Sequence, residues 1–539
     1  MIKNFKNYSM PHQKSRKLFL AALAVMTAST LSATSSDVSI SKNLFLQRAF
    51  SANTTRELLM EGHVIPTDFD GFYSFFSMDG AYQHSWNQGS EEFGLGAFPF
   101  WSGTNVMTTG NNDARSNLDV YQFGLYNVTT PGSITLNPIV YQGGADFLLY
   151  FGASTNDPGT FLKLKVPLGI IGINPQLTEI DPILSATSYP AGALSQSNNP
   201  VNDPALTMTQ AFAGNLVGGQ LINGSNFIPM QFGLLNGTQL SGTQFGDFEM
   251  ALGYNFVCNE DYLFGVALRA SGPSANKPTG QFLLEPVFGR GGSWTVGGYV
   301  VGKAKLWENH ESSYLNLNVM ATILHLVKKT DTIRSYDLLA NGPGSKYLLV
   351  ADYNGNSYQG TVQNLINLST LSTNSSFSAE GDISIDLSYI NNGWSADFGY
   401  NFWGRTQEIL SISGTFPANR YAILGRQPVG NPTGDINVCQ PTATINSSVA
   451  PYSGTGPLPE GVVDATVPSN RIGGNYVFDV AGAQQSSTAT SKLFAKTSYS
   501  WLESHFSPHL GIAGEFEMST GANNALPQWA VSLIGGMYF

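Results

Sequence analysis

Residues 528–539 read QWAVSLIGGMYF, and their pattern is the clearest indication of the fold class. Every second position in it carries an apolar or small residue: Trp529, Val531, Leu533, Gly535, Met537 and Phe539. Successive side chains of a β-strand point to opposite faces, so the period of two predicts a strand with one apolar face. Nine segments of the chain alternate in this way. Together they predict an all-β protein.

The clearest pair of strands surrounds a tight turn. Ile383, Ile385, Leu387 and Tyr389 alternate with polar residues up to Asn391-Asn392-Gly393, and the alternation resumes at Trp394. Asn-Gly between two alternating segments is a strong signal for a two-residue β-hairpin. Further hairpins are predicted at 248–268, 294–327 and 493–518. An antiparallel up-and-down arrangement follows from them.

Counting every alternating segment gives about 14 strands, with 12 as the alternative. The three faintest segments lie at 118–126, 133–141 and 146–153. Connections between the stronger strands alternate strictly between two length classes. The short ones lie at 154–159, 257–261, 307–312, 391–393 and 502–508. Between them lie the long ones at 171–245, 271–293, 328–379 and 405–490, and a shorter one at 519–527.

A final strand that closes on an aromatic residue resembles the last strand of bacterial outer-membrane β-barrels. The resemblance covers residues 72–539, and it singles out no particular porin or transporter family. It implies short periplasmic turns, long extracellular loops and an outer-membrane location. It further implies that Phe539 forms part of the signal read by the barrel assembly machinery, and that a homo-oligomer is possible.

The composition agrees with a barrel in lipid. Charged residues make up 12% of the chain and hydrophobic residues 42%, yet no stretch approaches the roughly 18–20 consecutive apolar residues of a spanning helix. The apolar register of the nine strongest segments contains no Asp, Glu, Lys or Arg. Aromatic residues collect at the short-turn ends of the strands, as an interfacial girdle requires. A secreted soluble β-protein is the alternative.

The N-terminal region predicts targeting. Five basic residues precede an apolar run from Leu18 to Met26, which indicates a signal peptide over 1–33. A membrane anchor helix is the weaker alternative, because the run is short. Removal of this segment would change the formal net charge from −11 to −16. So acidic a chain argues against nucleic acid as a partner.

Residues 34–71 are predicted to be a periplasmic lead-in with one short helix. Asn53, Thr54 and Thr55 provide the N-cap signal for about two helical turns. The sequence leaves open whether this helix enters the barrel mouth or lies beneath it. The barrel itself is assigned to 72–539.

The sequence offers little for catalysis or for metal binding. The two cysteines, Cys258 and Cys439, are predicted at opposite ends of the barrel, too far apart for a disulfide. None of the histidines suits a catalytic site, and His505 and His509 are separated by Pro508, which disfavours a helical metal pair. We therefore expect no enzyme activity, no metal and no cofactor.

The register opposite the apolar one should line the pore. It carries seven acids and seven bases, which favours ion pairing within the wall over a ladder of substrate-binding groups. If the Lys163–Lys165 and Lys303–Lys305 pairs face the strand of Asp382 and Asp386, a transverse field would orient polar solutes. The predicted pore-lining residues are Lys163, Lys165, Asp247, Glu249, Arg269, Lys303, Lys305, Asp382, Asp386, Asp397, Arg405, Lys496, Glu515 and Glu517.

These features predict a porin-like channel for passive passage of small polar solutes through outer-membrane lipid. The alternative is a barrel that displays long loops for adhesion or surface recognition. Loops near 75 and 86 residues favour either that display or a constriction formed by an in-folded loop. A transporter for hydrophobic substrates would need an apolar lumen path and an N-terminal plug. The polar inward register disfavours that third possibility.

Overall fold

The computed structural model describes most residues of the chain. They are 47–61, 72–86, 105–110, 118–125, 132–153, 158–180, 188–189, 201–202, 205–214, 226–309, 313–425, 438–446, 463–464, 468–502, 506–519 and 526–539.

Twelve long antiparallel strands within the described residues close into a barrel. Each strand pairs with its neighbours along the chain, and the first pairs with the last. Because a closed barrel has no edge, every strand finds hydrogen-bond partners on both sides. The strands are β1 (Tyr73–Ser85), β2 (Ile139–Gly152), β3 (Gly159–Asn174), β4 (Phe248–Cys258), β5 (Tyr262–Gly272), β6 (Thr295–Asn309), β7 (Ser313–Ser335), β8 (Thr370–Asn391), β9 (Trp394–Arg405), β10 (Thr488–Ser500), β11 (His509–Ser519) and β12 (Gln528–Tyr538).

The all-β barrel and the alternative count of twelve are confirmed, whereas the count of 14 is wrong. Residues 118–126 do not form a barrel strand, because Val120–Phe123 folds as a 3₁₀ helix packed among apolar loop residues. The segments predicted at 133–141 and 146–153 contribute a single wall strand, β2. A separate short strand, Gly132–Thr135, pairs with other loop segments instead.

The apolar register faces outward on every strongly alternating strand. The exposed fractions of Leu252, Phe398 and Val531 are 60%, 61% and 48%, so these side chains do not converge on a shared interior. The opposite register is buried although it is charged, as at Glu249 and Glu515. An apolar exterior around a polar interior is the reverse of a soluble fold, and it suits a wall that is surrounded by lipid.

The β8–β9 hairpin is closed by Asn392 and Gly393 alone. Both residues have positive φ angles, of 45° and 86°. A type I′ turn needs positive φ at both central positions, and its twist matches that of the flanking strands. The Asn-Gly signal therefore predicted this turn correctly.

The connections differ between the two ends of the barrel. At one end, here called the turn end, the links are 153–158, 259–261, 310–312, 392–393 and 501–508. At the other, the loop end, the strands are joined through 86–138, 175–247, 273–294, 336–369, 406–487 and 520–527. The predicted contrast between short turns and long loops is confirmed, except that 520–527 is no longer than 501–508; residues 86–138 are a further long connection.

The long loops fold into a layer with its own short elements. The loop helices are α2 (Met208–Phe212), α3 (Ile366–Ser369) and α4 (Val480–Ala483), with 3₁₀ turns at Val120–Phe123, Ser345–Tyr347, Pro468–Asn470 and Asn475–Val477. Two small sheets connect the loops. One contains Val106–Gly110, Leu118–Asp119, Gly132–Thr135 and Thr178–Ile180, and the other Asn226–Ile228, Leu349–Asn354, Ser357–Asn364 and Tyr421–Ile423.

The remaining short strands pair locally or extend the wall. They are Ser188–Tyr189, Val201–Asn202, Gln239–Leu240, Gln244–Phe245, Glu408–Ile412, Val438–Cys439 and Val463–Asp464. One helix lies outside the loop layer: α1 (Thr54–Glu61), which precedes β1. None of the helices in the described part of the chain is long and apolar enough to cross a membrane.

We expect the loss of stability caused by a charged residue on the lipid-facing register to depend on its depth in the bilayer. Leu252→Arg, at the middle of β4, should destabilise the barrel by roughly 2–4 kcal/mol, because an arginine at the bilayer midplane must be desolvated. Phe248→Arg lies on the same face at the strand end, and its cost should fall to about 1 kcal/mol or less. Denaturant unfolding from lipid vesicles measures both. Equal costs at the two depths would contradict the assigned lipid face.

Candidate functional site

The barrel interior is occupied by the segment Gln47–Glu61, which we call the plug. All of its residues from Gln47 to Met60 are buried, and the exposed fractions of Leu59 and Met60 are 0%. The helix α1 begins after Asn53, whose side-chain oxygen accepts the backbone N–H of Arg56 at 3.3 Å. That is the usual capping bond of an N-cap residue. This part of the predicted lead-in therefore lies inside the wall.

The two arginines of the plug bind an acidic part of the wall. Arg48 donates to Asp382 on β8 at 2.7 Å and to Glu517 on β11 at 3.0 Å. Arg56 donates from Nε to Glu515 at 3.0 Å. All of these side chains are at most 5% exposed. Buried charges are tolerated only when they are paired, so each arginine depends on its carboxylates.

The plug's carboxylates bind a basic part of the wall. Glu57 accepts from Arg269 on β5 at 2.8 Å and from Lys163 on β3 at 3.3 Å, and Glu61 also contacts Lys163. The plug is a separate segment in the lumen and is not one of the membrane-spanning strands. Burial alone would raise the pKa of the Glu57 carboxyl, but the charges of Arg269, Lys163 and Lys165 outweigh burial and lower this pKa overall.

Hydrogen bonds to backbone carbonyl groups complete the seat of the plug. Lys165 donates to the carbonyl oxygen of Ser51 at 2.7 Å, and Lys496 donates to that of Leu59 at 2.9 Å. At the end of α1, the hydroxyl of Tyr538 donates to the carbonyl oxygen of Glu61 at 2.8 Å. The bonds to Leu59 and Glu61 satisfy carbonyl groups of the last turn, which the short helix leaves without internal partners.

The interior also has an apolar patch toward the turn end. Leu58, Leu59 and Met60 of the plug pack in one cluster with inward-facing wall residues. The wall members of that cluster are Tyr73, Phe75, Leu148, Tyr150, Phe161, Ala251, Ala267, Tyr299, Val301, Met320, Phe494, Ala513, Ile534 and Tyr538. The inward register is thus less uniformly polar than the sequence analysis assumed.

One long loop also enters the barrel. In the 273–294 connection, Arg290 donates to Glu249 at 2.8 Å and to Glu380 at 3.0 Å. Nearby, the ring of Phe288 stacks on Phe50 of the plug with centroids 5.4 Å apart. Phe50 belongs to the apolar cluster that includes Met208 and Phe212 of α2. The lumen is therefore closed by the plug and, toward the loop end, by in-folded loops.

The structure places the predicted pore-lining residues as follows. Lys163, Lys165, Arg269, Asp382, Lys496, Glu515 and Glu517 contact the plug, whereas Asp247 and Glu249 bind Arg290. Asp386, Asp397 and Arg405 are buried in the wall, and Asp397 lies 3.8 Å from Lys496. Lys303 lines a cavity at the turn end. Lys305 binds Asp261 and Glu308 at the surface.

Several residues of this site were missed by the sequence analysis. Lys492 of β10 donates to Glu515 at 2.6 Å, and its even spacing from Lys496 could have identified it as inward-facing. Asn401 of β9 donates to Asp382 at 2.6 Å. The plug's own Arg48, Arg56 and Glu57 had no such signal, because a short charged helix before a barrel resembles any solvated segment.

Phe539 and the cysteines are also located. Phe539 is 46% exposed, next to the seam where β1 meets β12. Cys258 is buried at the end of β4. The side chain of Cys439 lies outside the described residues, as does His505. Within the described residues, no group of three or more His, Cys, Asp or Glu side chains could hold a metal ion.

Comparisons with known proteins give only distant likenesses. No protein-family profile and no curated protein matches the chain. Among solved structures, an outer-membrane channel from Pseudomonas putida F1 is 9% identical, with 88% of this chain and 100% of that chain covered and a TM-score of 0.36. OmpT, an outer-membrane protein of Vibrio cholerae, is 8% identical, with 88% and 100% covered and a TM-score of 0.22.

A third likeness is to the toluene transporter TodX of P. putida, at 8% identity, with 87% of this chain and 89% of that chain covered and a TM-score of 0.25. Scores this low carry no argument about solute or mechanism. The geometry defines the class by itself: a closed wall with an apolar outer face and a charged interior is a transmembrane β-barrel. This is the architecture of bacterial outer-membrane β-barrels, in which the short turns face the periplasm and the long loops face outward.

We predict that Arg56 contributes strongly to the seat of the plug. Arg56→Ala leaves Glu515 and Asp79 without this buried cation, and breaking a buried pair costs about 3–5 kcal/mol. Arg420→Ala is the control, because the Arg420–Asp352 pair lies in the loop layer with Arg420 49% exposed, where a pair contributes about 1 kcal/mol or less.

Thiol labelling measures the difference. With both native cysteines changed to serine, Ser51→Cys places a reporter in the buried plug. Its labelling rate should rise roughly a hundredfold or more with Arg56→Ala, since every 1.4 kcal/mol is a factor of ten. It should be nearly unchanged with Arg420→Ala. Equal rates in the two variants would show that the ion pairs do not seat the plug.

Proposed function

We propose that the protein is an outer-membrane channel for small polar solutes that rests closed, with the plug seated in its lumen. The observation that carries the proposal is that the segments which fill the lumen point inward, toward the wall. The plug and Arg290 both lie against the inward charged register and do not project from the barrel. Elements that fill a lumen regulate passage, whereas a barrel used only for display has no need of a gate.

The chemistry of the plug–wall interface supports reversible opening. Arg48, Arg56 and Glu57 face wall groups that are themselves charged. When the plug moves, both surfaces become hydrated, and the regained solvation offsets much of the lost ion pairing. An interface built only from apolar side chains would instead expose its full area to water. The contacts of Leu58, Leu59 and Met60 keep the resting state closed.

The wall that opening would expose carries charges of both signs. The basic residues that hold the plug's carboxylates lie on β3 and β5, and the carboxylates that hold its arginines lie on β8 and β11. In a ring of twelve strands these two groups are nearly opposite each other. Polar solutes in the opened lumen would therefore meet a transverse field, as the sequence analysis suggested.

The proposal includes no enzyme activity and no cofactor. It also includes delivery of the chain to the outer membrane by the barrel assembly machinery, with Phe539 as part of the signal.

A disulfide that locks the plug tests the proposal most directly. The hydroxyls of Thr55 in α1 and Ser384 on β8 lie 3.1 Å apart, close enough for cysteines at these positions to form a disulfide. In a background without the native cysteines, the oxidised Thr55→Cys/Ser384→Cys protein should be silent in planar bilayers. Reduction should restore conductance steps, which should be most frequent when Arg56→Ala is also present.

The single variant Ser384→Cys is the control, and its conductance should not respond to reductant. Steps of equal frequency in the oxidised and the reduced double-cysteine protein would show that passage does not require plug movement. Complete silence of Arg56→Ala, in a barrel shown to be folded, would reject the channel.

Ion selectivity of the open steps tests the transverse field. Lys163→Glu together with Lys165→Glu, introduced into the Arg56→Ala protein, should shift the reversal potential toward cation preference, because two cations of the exposed wall become anions. The matched variant Arg420→Glu in the loop layer should leave selectivity nearly unchanged. Selectivity that is unaffected by the lysine reversal would dismiss the field.

Display of the loops is the second candidate, and one observation favours it. The loops 336–369 and 406–487 share an apolar cluster of their own, with Leu338, Val350, Phe416 and Phe478 buried. A folded loop layer can present a defined surface to a partner. Silence of the opened variants in planar bilayers would favour display over transport.

A further inference from the structure

Two rows of contacts connect the plug with the 273–294 loop, one aromatic and one ionic. In the aromatic row, the ring of Phe288 in the loop stacks on Phe50 of the plug with centroids 5.4 Å apart. The guanidinium of Arg56 lies over the same Phe50 ring, 4.5 Å from its centroid. Arg56 in turn donates to Glu515 on the wall. The loop therefore packs against the side chain that lies beside the plug's buried arginine.

The ionic row runs through two residues of the wall. Arg290 of the loop donates to Glu249 on β4 at 2.8 Å, and Glu249 also pairs with Arg269 on β5. Arg269 donates to Glu57 of the plug at 2.8 Å. All four side chains are at most 6% exposed. Because buried charges depend on their partners, the loop and the plug stabilise one shared pair of wall residues.

The outer part of the same loop belongs to the loop layer. The backbone N–H of Gly233, in the 175–247 loop, donates to the carbonyl oxygen of Gly280 at 2.9 Å. Glu285 holds this turn, because its buried carboxylate accepts the backbone N–H groups of Thr279 and Gly280 at 2.9 and 3.0 Å. The 273–294 loop thus contacts the loop layer with one part and the plug with another.

Separate movement would be costly for both partners. A plug that left alone would take the carboxylate of Glu57 away from Arg269 and leave Phe288 without its stacking partner. A loop that left alone would take Arg290 away from Glu249. Joint movement hydrates these charges in one step, and hydration offsets much of the lost pairing.

We propose that the 273–294 loop couples the plug to the loop layer, so that loop and plug leave the lumen together and the passage is opened from the loop end. This inference rests on the opening of the plug proposed above, and it adds the regulation of that opening. The loop layer is the part of the barrel that a solute from outside meets first. A change in this layer reaches the plug through Phe288 and Arg290.

Two buried serines serve as reporters of the movement. Ser51 lies in the plug and is 2% exposed, and Ser293 lies near the end of the loop and is 4% exposed. Each is changed to cysteine singly, in the full chain without the native cysteines, and its labelling rate is measured with the folded barrel in lipid vesicles. Arg56→Ala perturbs the plug, and Glu285→Ala perturbs the outer turn of the loop.

Coupling predicts that each of these variants raises labelling at both reporters, by factors that agree within about twofold. Phe288→Ala should weaken the transmission. In the Phe288→Ala protein, Glu285→Ala should still raise labelling at Ser293→Cys, but its effect on Ser51→Cys should fall roughly three- to tenfold, the contribution of an aromatic pair. Phe416→Ala is the matched control, because Phe416 is equally buried in the loop layer and packs against Phe478 and Tyr421. It should leave the transmission intact.

Three results would overturn the coupling. They are a rise at Ser51→Cys alone with Arg56→Ala, a rise at Ser293→Cys alone with Glu285→Ala, and equal effects of Phe288→Ala and Phe416→Ala on the transmission. Each of them would leave the channel proposal standing. Joint rises at both reporters without conductance steps in planar bilayers would instead reject the channel and keep the coupling. If Glu285→Ala does not fold, Glu285→Gln takes its place.

Discussion

In hydrocarbon, every backbone N–H and C=O group must find its hydrogen-bond partner within the protein, and this requirement determines the architecture. Each strand of the wall needs partners on both sides, so the sheet must close, and here it closes at twelve strands. Closure divides every strand into an outward and an inward register. The outward register is apolar because it meets lipid, and the inward register is free to carry the charges that lipid excludes.

The charged inner register creates a second requirement. Side chains such as Asp382, Arg269 and Glu515 are buried in a narrow interior, where an unpaired charge is costly. The plug meets this requirement with complementary charges, placing arginines on the acidic part of the wall and glutamates on the basic part. The plug thus completes the protein's interior. In the proposed channel, the stability of the closed state and the gating of the passage depend on the same contacts.

The sequence predicted the wall well wherever side chains alternate without interruption, as in β4, β9 and β12. The prediction failed where loop packing imposed a different pattern or where glycines interrupted the alternation. Val120 and Phe123 are apolar because they pack in the loop layer. Their spacing led to the wrong prediction of a wall strand. In β2, Gly143 and Gly144 interrupt the apolar pattern, so one strand was divided in two. A side chain at Gly144 would come within 2.5 Å of the carbonyl oxygen of Leu168, which explains why the strand continues with glycine there.

The sequence predicted the wall residues of the candidate site but not the plug residues that they contact. Register alone identified the inward charges, because period two assigns every charged residue to a face. Nothing in the alternation of Lys163 or Glu517 indicates what lies across from it, since contacts with the plug join residues hundreds of positions apart. The apolar patch around Leu59 and Phe75 was missed for the same reason.

The seam between the chain ends has a consequence for biogenesis. Ser74 and Phe539 exchange backbone hydrogen bonds of 2.9 and 2.8 Å, so the earliest wall strand and the final residue complete the ring together. A chain without its last dozen residues would lack β12. β11 and β1 would then each have an unpaired edge, and the barrel could not close. Only residues 62–72 separate the plug from that earliest strand, so the plug is tethered beside the seam. Insertion before the ring closes would spare it from being threaded through a finished pore.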